Sequence, residues 1–132
     1  MIAALLLLAA PVAAIPPTSP LSPYAAMEGE WTVDLRPDLA DPPYSQPMLL
    51  KIAADRVVTG NFYKSEILAG MAGRGQGRLC VFFRTTDGRG PYHTTACLVD
   101  GKMVGQSWAE HREFVLPWTA TRKPAPQPAP KP

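Results

Sequence analysis

The stretch RLCVFFRTTDGRGPYHTTACLV, Arg78 to Val99, sets two β-rich runs on either side of the turn sequence Asp87-Gly88-Arg89-Gly90. With Thr86 opposite Pro91 around a four-residue loop, counting back along both arms puts Cys80 directly opposite Cys97. A cross-strand disulfide is sterically easiest at a non-hydrogen-bonded pair, where opposing Cα atoms come closest. Pairs two residues apart share that type, so Pro91 takes a place where its missing N–H costs nothing. The two requirements agree, and Cys80 and Cys97 are read as a disulfide. Metal ligation is not expected, because no further Cys or His stands at zinc spacing.

Alternation along the same hairpin assigns Val81, Phe83, Thr85, Tyr92, Thr94, Ala96 and Leu98 to an inner face. Cys80, Phe82, Arg84, His93, Thr95 and Cys97 fall on the outer one. Towards the turn the inner set changes from Val, Ala and Leu to Tyr and Thr, so one end of the interior is expected to be apolar and the other to carry hydroxyls.

Working outward, two-residue alternation recurs between turn signals along the chain, and helical periodicity is hard to find. Eight candidate strands follow: EWTVDLR, PMLLKIA, VVTGNFYKS, EILAGMAGRGQG, RLCVFFRTT, PYHTTACLV, KMVGQSWAE and EFVLPWTATR. The predicted fold is all-β, an antiparallel up-and-down meander of about eight short strands closed into a small barrel with one cross-strand disulfide. Closure would remove exposed strand edges. EILAGMAGRGQG is the weakest of the eight and is expected to dissolve into a glycine-rich loop, which leaves open a sheet that does not close beside it. That loop reads either as a surface connection or as a lid over the barrel mouth, with Arg74 or Arg78 placed to meet an anion.

The ends differ in composition from this core. Residues 1–14, MIAALLLLAAPVAA, form an uncharged apolar run too short to span a bilayer and ending in small side chains, which reads as a secretory signal, although no Lys or Arg precedes Arg36. Residues 15–27 are predicted to be a Pro/Ser-rich spacer outside the fold, residues 28–122 the barrel domain, and residues 123–132 a disordered Pro/Ala/Lys tail. Two cysteines in an exported chain fit an oxidising, extracytoplasmic compartment, periplasmic or secreted. The 132 residues carry a net charge of only +2, with Lys102, Lys123 and Lys131 scattered, so nucleic acid is not an expected partner. Nor is stable membrane insertion expected once the signal is removed.

The order of motifs resembles the avidins, within the wider group of calycin barrels that includes lipocalins. GEWTVDL matches the Gly-x-Trp opening of their first strand, and Thr59-Gly60-Asn61-Phe62 matches a Thr-Gly-x-Tyr element. DGKMVGQSW matches a turn and strand ending in Trp, and PWTATR a closing Trp-x-Ala-Thr-Arg. The resemblance implies an eight-stranded barrel with a ligand site at one mouth, often assembled into oligomers. It places Trp108 as an aromatic wall of the pocket and Trp118 as the tryptophan lent to a neighbouring subunit. It also implies that Trp31 plugs the closed end with Arg122 lying over it. The family's biotin-binding asparagine, serine and tyrosine align with Val33, Pro37 and Phe62. An unsatisfied ureido group against those apolar residues would cost several kcal/mol, so biotin is not the expected ligand.

The predicted pocket is lined by Phe62, Phe83, Thr85, Tyr92, Thr94, Gln106 and Trp108, a mixture of aromatic and hydroxyl character suited to a small, largely apolar molecule. The alternative is a barrel filled by its own side chains, serving as an envelope-associated structural or protein-interaction module; an outward Phe82 beside the disulfide would suit a homo-oligomer. With two histidines and no nucleophile–base pair, no enzyme activity, cofactor or metal is expected.

Overall fold

The structure is a computed structural model that describes residues 22–124. The expected signal, most of the spacer and most of the tail lie outside the described residues. Among the described residues nine strands are formed: β1 (Gly29–Asp34), β2 (Ser45–Ile52), β3 (Val57–Phe62), β4 (Ser65–Glu66), β5 (Leu68–Gly75), β6 (Arg78–Thr86), β7 (Pro91–Val99), β8 (Lys102–Ala109) and β9 (Phe114–Arg122). β4 is a two-residue stub on β3. The other eight close an antiparallel barrel in the order β1, β2, β3, β5, β6, β7, β8, β9 and back to β1.

The hairpin β6–β7 pairs Thr86 with Pro91 and Cys80 with Cys97. The cysteine Cα atoms are 4.0 Å apart and joined by a disulfide. Val81, Phe83, Thr85, Thr94 and Ala96 are buried, while Phe82 is 55% exposed. The alternation of side chains across the pleat thus separates core from surface most sharply along β6, from Val81 to Thr86, while the outer positions His93, Thr95 and Cys97 of β7 are half-buried.

The glycine-rich segment differs from expectation. It is a full strand, β5, joined to β6 by a two-residue turn at Gln76-Gly77, where both residues adopt positive φ. A two-residue turn of this hand matches the twist of the flanking strands, and the glycine's lack of a Cβ makes it inexpensive. β5 therefore needs few side chains of its own, because β6 completes its ladder from Gly75↔Arg78 back to Leu68↔Arg84, across a bulge between Leu68 and Met71. β5 meets β3 at only two pairs, Val57↔Met71 and Val58↔Gly70. Two further backbone bonds reinforce this thin seam, Ala72 N–H to Arg56 O at 2.8 Å and Ile67 N–H to Gly60 O at 3.0 Å.

Antiparallel order sorts the connections into two ends. Residues 53–56, 76–77 and 100–101 gather at one end; residues 35–44, 63–64, 87–90 and 110–113 gather at the other. The Gln76-Gly77 turn thus sits at the end away from the long loops, so the lid reading of Arg74 and Arg78 is corrected: both are exposed and far along their strands from the mouth.

The first end is closed. A 3₁₀ turn at Pro23–Met27 packs beneath it, with Met27 fully buried and Tyr24 against the core, so the last part of the predicted spacer belongs to the fold. Its prolines do not prevent this, because Pro at the first helical position sacrifices no hydrogen bond. Trp31 is buried above it and donates Nε1–H to Met27 O at 3.0 Å. Arg122 lies 4.4 Å from the Trp31 ring centroid and donates to Glu28 O and Ala26 O, each at 2.6 Å. A cation–π contact of this kind contributes about 0.5 to 2 kcal/mol. Gly29 at φ +115° makes room for the guanidinium, since a Cβ there would stand 2.8 Å from Arg122 Nη1.

Replacing both cysteines by alanine should lower the unfolding free energy by about 3 kcal/mol in the chain-entropy account of a loop this size. Urea unfolding followed by circular dichroism measures it. An unchanged midpoint would mean that the disulfide contributes nothing to stability.

Candidate functional site

The interior is apolar and filled from the closed end up to an aromatic layer. Phe62 from β3 lies 5.6 Å, centroid to centroid, from Phe83 of β6 and 5.6 Å from Trp118 of β9. Trp118 is only 3% exposed. It fits because its cross-strand partner is Gly105, where a Cβ would come within 2.7 Å of Trp118 Cζ2. The Trp118 indole therefore sits inside its own barrel, whereas the resemblance implies a place against a neighbouring subunit. Its Nε1–H donates to Ser107 Oγ at 3.0 Å, and Ser107 Oγ lies 2.8 Å from Thr94 Oγ1.

β8 corrects two predicted lining residues. Thr94 pairs with Ser107 and Thr95 with Gln106, so Met103, Gly105, Ser107 and Ala109 face inward. Gln106 is exposed, and Trp108 stacks on His93 at 5.4 Å on the outer surface. The signal that finds Ser107 is the Asp100-Gly101 turn. A two-residue turn pairs Val99 with Lys102, and the inner Thr94 then stands opposite Ser107.

Above the aromatic layer the barrel is hollow. A cavity of about 450 Å³ opens at the second end, with Phe62 at its base and Leu35, Thr85, Tyr92, Ser107 and Leu116 along its walls. Of the predicted set, Phe62, Thr85 and Tyr92 line this space, whereas Phe83 and Thr94 are buried outside its lining. Leu35, Tyr44, Arg112 and Phe114 come from loops and strand ends that carry little periodic signal, which is why the sequence did not bring them forward.

Two clasps hold the rim. On one side the hydroxyls of Tyr44 and Tyr63 hydrogen-bond, joining the β1–β2 loop to the turn after β3. On the other, Asp87 accepts from Arg112 Nε at 3.0 Å and Nη2 at 2.7 Å, from Tyr92 Oη at 2.9 Å, and from the backbone N–H of Arg89 at 2.8 Å. The backbone N–H of Arg89, then the Arg112 guanidinium, hold the Asp87 carboxyl well below the usual carboxylate range, against a smaller opposing effect of burial. Burial, then Asp87, push the Tyr92 phenol up, so it stays protonated and donates. His111 edges against Tyr92 at 5.3 Å, and Phe114 packs on Tyr92 at 5.8 Å. Among the described residues, no three His, Cys, Asp or Glu side chains gather as a metal-binding group would.

Fold and cavity together define a small closed antiparallel barrel with a filled base and one open, mainly apolar mouth. Val33 is fully buried in the core. No protein-family model, curated protein or solved structure matches the chain.

Two predictions concern the rim. A carboxylate with a lowered pKa stabilises the fold above its ordinary range near pH 4 (about 3.9) and loses that contribution as pH falls through the lowered value. The stability difference between the wild type and Asp87→Asn, from urea unfolding, should hold steady from about pH 8 to about pH 5 and narrow below about pH 4. A difference that stays constant into strong acid would mean that the charge on Asp87 does not stabilise the mouth. Tyr63 and Lys64 both hold positive φ, at 53° and 65°, in the turn between β3 and β4. Lys64→Gly should therefore raise the unfolding free energy by up to about 1 kcal/mol, and calorimetry reads it as a higher Tm.

Proposed function

We propose that this protein is an exported binder of a small, neutral, largely apolar molecule, with the open mouth of the barrel as its site. The observation that carries the reading is the cavity of about 450 Å³ at that end, within the range of small-ligand pockets and lined mostly by apolar and aromatic side chains. Its charged lining residues, Asp87 and Arg112, are bonded to each other, so the cavity wall presents no unpaired charge to attract an ion. The Cys80–Cys97 disulfide supports an oxidising, extracytoplasmic setting. The residues at the positions of the avidin polar contacts do not support biotin. Binding without chemistry is the simplest account of a pocket that holds neither an activated nucleophile nor a poised base.

A specific observation also favours a surface role. Phe82 and Val104 are exposed beside the disulfide on the outer wall, where a second copy of this barrel could cover them. A sedimentation coefficient that stays monomeric at high protein concentration would count against it.

The ligand reading is tested with N-phenyl-1-naphthylamine, an uncharged apolar dye that brightens when it leaves water. It should bind saturably at one site per barrel. Leu116→Trp, which adds volume to the cavity wall, should weaken binding by about tenfold or more, a loss on the order of 1.4 kcal/mol. Absence of saturable binding, or binding indifferent to Leu116→Trp, would overturn the proposal.

A further inference from the structure

The hydroxyls at the inner end of the cavity constrain what it can hold. Thr94 is 1% exposed, and its hydroxyl has one partner among the described residues, Ser107 Oγ. Were Ser107 the donor in that pair, the Thr94 proton would be buried with no acceptor, a cost of about 1 to 3 kcal/mol. The proton therefore runs from Thr94 to Ser107. Ser107 Oγ also accepts from Trp118 Nε1–H, so both of its lone pairs are engaged. Its own O–H is left over. Ser107 is buried on its other sides and lines the cavity, so that hydrogen points into the open space.

Thr85 adds a second hydroxyl. It is 5% exposed and makes no side-chain hydrogen bond among the described residues. No sealed polar side-chain atom among those residues lacks a partner, so the Thr85 hydroxyl must open onto the cavity that it lines.

We infer that Ser107, which lines the same cavity as Thr85, is a specificity-determining donor that selects neutral apolar ligands carrying a hydrogen-bond acceptor, such as a ketone or ester carbonyl, at the end that enters first. The inference rests on the mouth being a ligand site and adds the chemistry of its ligand. Two buried protein donors fix the lone pairs of Ser107, so the exposed O–H is pre-oriented and little rotor freedom is lost on binding. A ligand that is hydrocarbon throughout would leave this donor dry and unpaired, whereas a carbonyl would satisfy it.

The test uses a matched pair of probes, 2-acetylnaphthalene and 2-isopropenylnaphthalene, which differ by a carbonyl oxygen in place of a methylene. Calorimetric titration of the wild type should show the ketone bound about tenfold more tightly, the worth of one hydrogen bond. In Ser107→Ala that ratio should fall to near unity. Because this variant also strips the partner from Thr94 and Trp118, a second readout avoids it: the carbonyl stretch of wild-type-bound 2-acetylnaphthalene should move to lower frequency, as a hydrogen-bonded ketone does. Equal affinity for both probes with an unshifted carbonyl stretch would overturn the inference while leaving the ligand site standing. Failure of both probes to bind would remove the site and the inference with it.

Discussion

The indole of Trp118, lodged in the space left by Gly105, divides the barrel into two unlike halves. The cross-strand partner has no side chain, so the ring reaches the axis and meets Phe62, while its N–H is absorbed by Ser107. Eight-stranded barrels are wide enough to fill with side chains or to hold one small ligand. Here a filled half and a hollow half are stacked along one axis. Below the aromatic layer, Met27, Trp31, Met48, Leu50 and Met103 pack in one apolar core, where Met27 O accepts the Trp31 indole N–H. Above it, the walls bear hydroxyls and enclose space.

The two ends are finished in different ways, and each finish suits its half. At the closed end the Pro23–Met27 turn, Trp31 and Arg122 form a plug in which the guanidinium satisfies carbonyls at the end of that turn. At the open end, hydrogen bonds between side chains of different loops do the holding: Tyr44 with Tyr63, and Asp87 with Arg112. Such contacts hold the rim without closing it. They also pair the two charged side chains that line the cavity, Asp87 and Arg112.

Much of the architecture was legible because turn chemistry fixes register. Asp87-Gly88-Arg89-Gly90 set Thr86 opposite Pro91, and everything on that hairpin, including the disulfide and the inner face, followed. The next turn fixes register in the same way: Asp100-Gly101 sets Ser107 opposite the inner Thr94, so Trp108 faces outward, against what the resemblance implies. The glycines of β5 give no strand signal, because propensity describes a strand's own preference and not the ladder a neighbour supplies. The rim was least legible. Tyr44, Tyr63 and Arg112 stand in turns and loops, and their meeting depends on barrel closure, which no local pattern encodes.

The hollow half, rather than the outer wall, is the proposed ligand site. Nuclear magnetic resonance mapping of backbone amides and methyl groups during titration with N-phenyl-1-naphthylamine tests it most directly. The account predicts shifts concentrated at Leu35, Phe62, Thr85, Ser107 and Leu116, with Met27, Trp31 and Met103 unmoved. Shifts centred instead on Phe82 and Val104 beside the disulfide, or the absence of any saturable shift, would contradict it.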